Sequence, residues 1–525
     1  MDTQNADVDE DTLLARVRAW INDDPNPATR AELEALLAAG DDAALLERFS
    51  GPLTFGTAGL RGELGAGPAR MNEATVARAS AGLARQLLAE VEHAAERGVV
   101  VGRDARRGSL ELARVVAEVL CGHGLRVHWI EDATPTPVCA FAGRHLDASA
   151  VAIVTASHNP PEYNGLKVYA PNGAQIISPQ DKRIQAEGSA AGPILSLPRL
   201  TFERAQSEGR LIALGEALVE PYLEALDAQC RPTPGSPQSL RVVTTALHGV
   251  GHPWIERALK RRGFHDLHPV VEQREPDGAF PTVTFPNPEE EGALDLALAL
   301  SAEVNAELIL ANDPDTDRLC VALGDGSGSA RVLSGNELGV LLGDWLLGDG
   351  RSAHTPQESP FVATTIVSTT MLQKIAERAG ADFFQTLTGF KWIWNKALER
   401  QEHGATFVFG FEEALGYCVG PAVRDKDGIG AAQVLMELAA DLKARGMTLI
   451  DQLEALYRTH GLYLNTQVSV RLPGLDGRAR IDALMDGLRG APPTEVAGFG
   501  LEALLDLSGE DAEELGLERS NVLIM

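Results

Sequence analysis

The sequence predicts an α/β protein with three serial α/β domains of similar topology around a central cleft, followed by a partial C-terminal α+β domain. Three observations carry that prediction. Short apolar strands alternate with amphipathic helices, the alternation restarts twice, and the pattern changes after about residue 455. Strands separated by helices indicate βαβ units and parallel sheets. A chain of 525 residues with 44% apolar content buries a large core and is expected to divide into several domains.

Residues 1–50 read as a helical extension. Leu13, Leu14, Val17, Trp20 and Ile21 recur at helical spacing, and DPNP stops or restarts the helix. Across 51–200, GVVVGRD, SLELARVVAEVLCGHG, LRVHWIED, a short helix from TPTPV and ASAVAIV read as an open parallel unit. The pattern returns over 215–325 with SLRVVTTA, the helix around PWIERALKRRG, HPVVE, ALDLALALSAEV and ELILA. A third round over 330–455 runs from PFVATTIV through TMLQKIAERAG, DFFQTL and KWIWNKALER to ATFVFG. Linkers are expected near SAAGPILSLP, CRPTPGSPQS and GDGRSAHTPQESP, whose composition interrupts regular structure. Residues 456–525, beginning near LYLNTQVSVRLPG and holding an ALMDGLRG helix, read as an incomplete α+β domain.

The formal net charge of -28 argues against nucleic-acid and membrane-surface partners, so an anionic substrate needs a locally basic pocket. Cys121, Cys139, Cys230, Cys320 and Cys418 are scattered and form no CxxC pair, which indicates neither a zinc site nor a disulfide framework. The acidic N-terminus has no signal-peptide pattern and no stretch is long enough to span a membrane, so a cytoplasmic protein is expected.

In open α/β sheets the ligand crevice lies at the carboxyl ends of the strands, which directs attention to the residues after each one. TASHNP follows ASAVAIV and sets Ser157 beside His158 on a turn that Pro160 and Pro161 keep from extending, so Ser157 is expected to be presented rather than buried. Turn hydrogen bonding alone also accounts for such residues. No GxSxG elbow surrounds Ser157, which leaves acyl transfer without local support. DPDTDR follows ELILAN, where Asp313, Asp315 and Asp317 alternate and are able to converge on one hard cation. Arg318 and Gly324 stand where an EF-hand needs Gly and Glu, and Asp317 breaks the D-x-D-x-T pattern. Mg²⁺ is the expected ion because it takes oxygen ligands and completes its shell with phosphate and water.

GFEEALGY ends the third unit and offers Glu412 and Glu413 to sugar hydroxyls. Arg61 in GTAGLRG, Lys391 in TGFKW and Lys426 in RDKDG answer the need for local positive charge. GTAGLRG lacks the Gly-Lys-Ser/Thr ending of a nucleotide P-loop, and the chain has no GxGxxG fingerprint.

GTAGLRG, TASHNP, DPDTDR, TGFKW, FEEALGY and RDKDG, in this order, resemble the α-D-phosphohexomutase superfamily over roughly residues 50–525. The form FEEALGY is similar to that of the phosphoglucomutase and phosphopentomutase subfamily, with Ala414 where many relatives have serine. The resemblance implies that phosphorylated Ser157 passes its phosphoryl group to a sugar phosphate, and that the resulting bisphosphate reorients and returns its other phosphate to serine. By the same resemblance, Ser157, Asp313, Asp315 and Asp317 hold Mg²⁺, Arg61 and Arg318 stabilise charge, and Lys426 stands at the acid/base position. His158 and Lys167 are implied neighbours of the reaction, while Thr388, Lys391, Glu412 and Glu413 face the substrate.

The expected activity is interconversion of glucose 1-phosphate and glucose 6-phosphate, with glucose 1,6-bisphosphate as intermediate and activator, in a monomer or weak homodimer. Phosphopentomutase, phosphomannomutase, a metal-dependent sugar phosphatase and a sugar-phosphate-binding protein with impaired catalysis remain open. The family's Arg-x-Ser-Gly-Thr-type loop, which grips the non-reacting phosphate, has no counterpart here. ERSNVLIM resembles the stretch before that loop, so the chain reads as cut short and reduced mutase turnover is expected.

Overall fold

The computed structural model describes residues 10–56, 59–230, 240–324, 330–348, 359–470, 472, 474–496 and 498–525. The N-terminal segment forms helices Glu10–Asp23, Pro27–Ala39 and Asp42–Arg48. The chain restarts at DPNP, where the Asn26 side chain accepts from the backbone N–H of Ala28 and Pro27 takes the first helical position. Leu13, Val17, Leu33, Leu45 and Phe49 close this layer over their own small core.

The first sheet contains β1 (Phe55–Gly56), β2 (Gly59–Glu63), β3 (Val99–Arg103), β4 (Val127–Ile130), β5 (Ala150–Val154), β6 (Tyr163–Tyr169) and β7 (Leu211–Leu214), in the order β1-β2-β6-β5-β3-β4-β7. The second contains β8 (Val242–Thr245), β9 (Leu267–Pro269), β10 (Leu308–Ala311), β11 (Cys320–Gly324) and β12 (Ala330–Val332), ordered β12-β11-β10-β8-β9. The third contains β13 (Ser359–Thr365), β14 (Asp382–Thr386), β15 (Ala405–Glu412) and β16 (Gly416–Val419), ordered β14-β13-β15-β16.

One plan recurs in all three. Three parallel strands are followed by an antiparallel return strand: β4-β3-β5 then β6, β9-β8-β10 then β11, and β14-β13-β15 then β16. The sheets are therefore mixed, whereas alternation of strands and helices reads as purely parallel. The return strands follow loops too short to contain the crossover of a dozen or more residues that a parallel strand requires. Those short loops after β5, β10 and β15 carry TASHNP, DPDTDR and the middle of FEEALGY, so the repeated topology brings the polar clusters to equivalent places.

Several expected boundaries move. β7 pairs in parallel with β4, so the first domain continues past residue 200 and SAAGPILSLP lies inside it, with a 3₁₀ turn at Ile194–Ser196. β12 belongs to the second sheet although it starts at residue 330, and helix Leu449–His460 runs through the boundary expected at 455. Most of CRPTPGSPQS and GDGRSAHTPQESP falls outside the described residues. In the C-terminal part, helix Gly474–Gly490 matches ALMDGLRG, but residues 461–470 form no strand, and Leu464 and Val468 are 82% and 85% exposed, with no partner edge among the described residues.

A single apolar cluster joins the sheets. It holds Val100 and Ile153 of the first, Leu308 and Leu310 of the second, and Val362, Phe409 and Phe411 of the third. Helix Gly428–Ala444 is apolar almost all round, as a helix buried between layers must be, and contributes Ile429, Val434, Leu435, Leu438 and Leu442. Its first residue has to be glycine, because a Cβ there would stand 2.4 Å from the carbonyl oxygen of Arg318. Among the described residues, no helix is long and apolar enough to cross a membrane.

Candidate active site

The loop after β5 turns sharply. The backbone N–H of Ser157 donates to Thr155 Oγ1 at 2.8 Å, and Ser157 adopts φ of 53°, a left-handed conformation that costs a non-glycine residue about 1–3 kcal/mol. Its hydroxyl donates to Asp313 Oδ2 at 2.8 Å and stands 3.1 Å from His158 Nδ1. Ser157 is only 2% exposed, which corrects the expectation that it is presented to solvent: the loop after β10 covers it.

That second loop closes on itself. Asn312 Nδ2 donates to the Arg318 carbonyl at 2.7 Å, the Arg318 N–H donates to Asp313 Oδ1 at 3.0 Å, and Thr316 takes φ of 61°. The alternating aspartates then face inward, with one oxygen from each of Asp313, Asp315 and Asp317 lying within 4.8 Å of the others.

Three buried carboxylates repel one another unless cations answer them. Lys167 answers two, with Nζ 2.8 Å from both Asp315 Oδ2 and Asp317 Oδ2. It reaches them because β6 runs antiparallel to β5 and pairs Lys167 with Ile153, one residue from the end of that strand. Lys426 adds a contact of 3.3 Å to Asp317 and one of 3.6 Å to Asp425. Thr136, at the start of helix Thr136–His145, donates its hydroxyl to Asp315 Oδ2 at 2.7 Å and its N–H to the Asp315 carbonyl at 2.9 Å.

The charge states follow from these contacts. Burial, then Asp317 and Asp315, push Asp313 well above the usual carboxylate range. Burial raises Asp315 as well, but Lys167 and the hydroxyl of Thr136 overcome it and hold that carboxyl below its ordinary value. Asp317 is also held low, since Lys167, Lys426 and Arg318 outweigh burial and Asp315. Burial works against Lys426, yet Asp317, Asp425 and Glu412 raise it and keep the ammonium charged. His158 is driven well below its ordinary value by burial and by Arg318 and Arg61, which leaves the ring neutral.

A metal ion fits this donor set. Asp315 Oδ1 and Asp317 Oδ1 are buried without a hydrogen-bond partner, and with the Asp313 carboxylate and Ser157 Oγ they offer only oxygen, the donor that hard divalent cations take. The Asp313, Asp315 and Asp317 triad is thus able to hold a metal.

The remaining expected residues divide into three groups. Arg61, on β2, joins the cluster by donating Nη1 to Asn159 Oδ1 at 2.9 Å, and Arg318 lies 3.6 Å from Glu289. Glu412 is buried behind the cluster, accepting the N–H of Gly389 at 2.6 Å. Glu413 and Thr388 instead line a cleft of about 1080 Å³ beside it, together with Glu289 and Asn336, and Glu413 accepts from Ser368 Oγ at 2.9 Å. Lys391 stands apart from the aspartates, donating to the Gly56 carbonyl at 3.0 Å and lying 5.2 Å from the Trp392 ring.

Thr136, Thr155, Asn159, Asp425 and Arg106 were not anticipated. Thr136 and Arg106 were within reach of the rule already applied, because TPTPV and GRDARR also sit just beyond strand ends, after β4 and β3.

Comparison with known proteins gives the family. The families described as phosphoglucomutase/phosphomannomutase, alpha/beta/alpha domains I, II and III match residues 52–191, 220–326 and 334–460. The chain is 39% identical to the phosphopentomutase of Mus musculus over 85% of its own length and 74% of that relative's. It is 36% identical to the glucose 1,6-bisphosphate synthase of Homo sapiens, covering 86% and 74% of the two chains. A Burkholderia thailandensis phosphoglucomutase/phosphomannomutase family protein of known structure shares the fold, with a TM-score of 0.61 at 22% identity, over 85% of this chain and 87% of the other. The chain belongs to the α-D-phosphohexomutase superfamily and is an isomerase of the phosphotransferase type.

Proposed function

We propose that this enzyme interconverts glucose 1-phosphate and glucose 6-phosphate, with Ser157 as the phosphoryl carrier. The observation that carries the reading is the hydroxyl of Ser157 buried 2.8 Å from Asp313, inside a cluster of three aspartates, two lysines and two arginines. A phosphoryl group on Ser157 is transferred to the free hydroxyl of the sugar phosphate. The serine O–P bond breaks as the new P–O bond forms. The bisphosphate then turns round and returns its other phosphoryl group to Ser157, so the net change is an isomerisation.

Such transfer asks for alignment and charge neutralisation more than for covalent chemistry. Arg61 and Arg318 flank the serine and offer planar donors to the moving oxygens. Lys167 holds Asp315 and Asp317 in place, and Lys426 Nζ, charged through its contact with Asp317, supplies positive charge on the substrate side while the proton of the sugar hydroxyl ends on Ser157 Oγ as the serine O–P bond breaks. His158, neutral beside Ser157 Oγ, orients that oxygen. Mg²⁺, held by Asp313, Asp315, Asp317 and the serine oxygen, would supply neutralisation of phosphoryl charge. Glu413, Thr388 and the cleft they line are the places to select sugar hydroxyls.

A pentose phosphate is the second reading. It is favoured by the mouse relative named phosphopentomutase. Phosphorus NMR of glucose 1-phosphate and, separately, ribose 1-phosphate, each with Mg²⁺ and a trace of glucose 1,6-bisphosphate, tests both. Glucose 6-phosphate as the faster product supports the first reading, and ribose 5-phosphate the second. Release of inorganic phosphate alone would overturn the mutase reading in favour of a phosphatase.

A further inference from the structure

The carboxyl end of β3 holds a charged group that the reaction above does not use. Arg106 is 4% exposed, and its guanidinium spans the back of the Ser157 loop. Nη2 donates to the carbonyl of Ser157 at 2.6 Å and to that of Asn159, while Nη1 donates to the carbonyl of Pro160 at 2.8 Å. A planar fork with five N–H groups reaches three carbonyls of one loop at once, which a lysine ammonium does not do in a fixed geometry.

The clamp is itself held on two sides. Nε stands 3.4 Å from Asp104 Oδ2, and Asp104 Oδ1 accepts from Ser109 Oγ at 2.6 Å and from the Arg106 N–H at 3.0 Å. The guanidinium also packs 4.9 Å from the ring of Phe280, which is buried in the second domain. Gly278, two residues before it, bridges to the Arg106 backbone so closely that a Cβ would stand 2.6 Å from the N of Arg107.

We propose that Arg106 is a positioning residue for phosphoryl transfer: it fixes the Ser157 loop through its carbonyls and registers that loop against the second domain, which supplies the aspartates. The inference rests on Ser157 being the carrier. It touches no reacting atom, since its bonds go to backbone oxygens while Ser157 Oγ turns toward Asp313. The left-handed Ser157 needs such over-determination, because a strained residue persists only where its surroundings leave no alternative.

Two variants test this. R106K keeps a cation beside Asp104 but loses the fork. D104N/R106Q removes both buried charges together, so that neither is left unpaired. In whichever folds, kcat for glucose 1-phosphate should fall about 100-fold, the scale of a misplaced reacting group, with KM unchanged. Amide exchange across residues 155–162 should accelerate, while intact mass still shows phosphoserine after incubation with glucose 1,6-bisphosphate. Native kcat with native loop protection in a folded variant would overturn the proposal. So would a rise in KM at unchanged kcat, which marks a substrate contact instead. Absence of phosphoserine from the unaltered chain would be a different failure, since it removes Ser157 as carrier.

Discussion

The junction of the first and second sheets and the cleft beside it are built on opposite terms. At the junction Ser157, Lys167, Asp313, Asp315 and Asp317 are all nearly inaccessible, and Lys167 and Lys426 are matched to carboxylates before any substrate arrives. In the cleft Thr388 is exposed, Glu413 is half-buried, and about 1080 Å³ of space stands open. Burying a charge is costly unless it is paired, so the side proposed to handle phosphoryl charge is pre-organised and closed off. Sugar hydroxyls are neutral and need no such preparation. On the proposed reading, chemistry and substrate selection can therefore change independently.

The strongest test of this contrast is S157A. Loss of a covalent carrier lowers turnover by about 10⁴-fold or more and abolishes phosphoserine in the intact mass, with sugar-phosphate affinity retained. Turnover at the native rate would remove the junction from the chemistry altogether.

K167M comes next. Removing one partner of a buried ion network leaves Asp315 and Asp317 facing each other, and we expect a loss of about 3–5 kcal/mol in thermal or urea unfolding. Added Mg²⁺ should raise the midpoint of K167M more than that of the native protein, because it replaces the missing charge. An unchanged midpoint without metal would mean that the aspartates tolerate one another, and the description of the junction as a balanced network would fall.

T136V is subtler. It keeps the shape but withdraws the hydroxyl that Asp315 accepts, at an expected cost of about 1–3 kcal/mol, read by the same unfolding measurement. At the small end, T388A should alter stability by no more than about 0.5 kcal/mol, since the side chain is exposed, yet shift the ratio of kcat/KM between glucose 1-phosphate and ribose 1-phosphate. A change in midpoint with no change in that ratio would reverse the roles assigned to the two regions.

Much of the junction was legible because its parts are local. TASHNP and DPDTDR announce themselves as polar clusters after apolar strands, and the alternating aspartates point to a cation without reference to any other segment. Lys167 emerged only through the family resemblance, and nothing near NGLKVY in the chain names its partners, which lie 148 and 150 residues away. Ser157 was misread as exposed for the same reason: its cover comes from a loop more than 150 residues further on. GRDARR also follows a strand, but nothing local to it shows that its arginine lies beneath the serine loop.

By itself, then, the sequence determined the three serial units, most of their parallel strands and helices, and the loops on which the chemistry is carried. These follow from periodicity and turn chemistry, which act over a few residues. Only the tertiary structure decided that the strand following β5, β10 and β15 turns back antiparallel, that Lys167 and Lys426 neutralise the aspartates, and that Arg106 holds the serine loop from behind. Those outcomes depend on which loops meet when separate sheets pack around one core, and on the electrostatic requirement that charges buried there be paired.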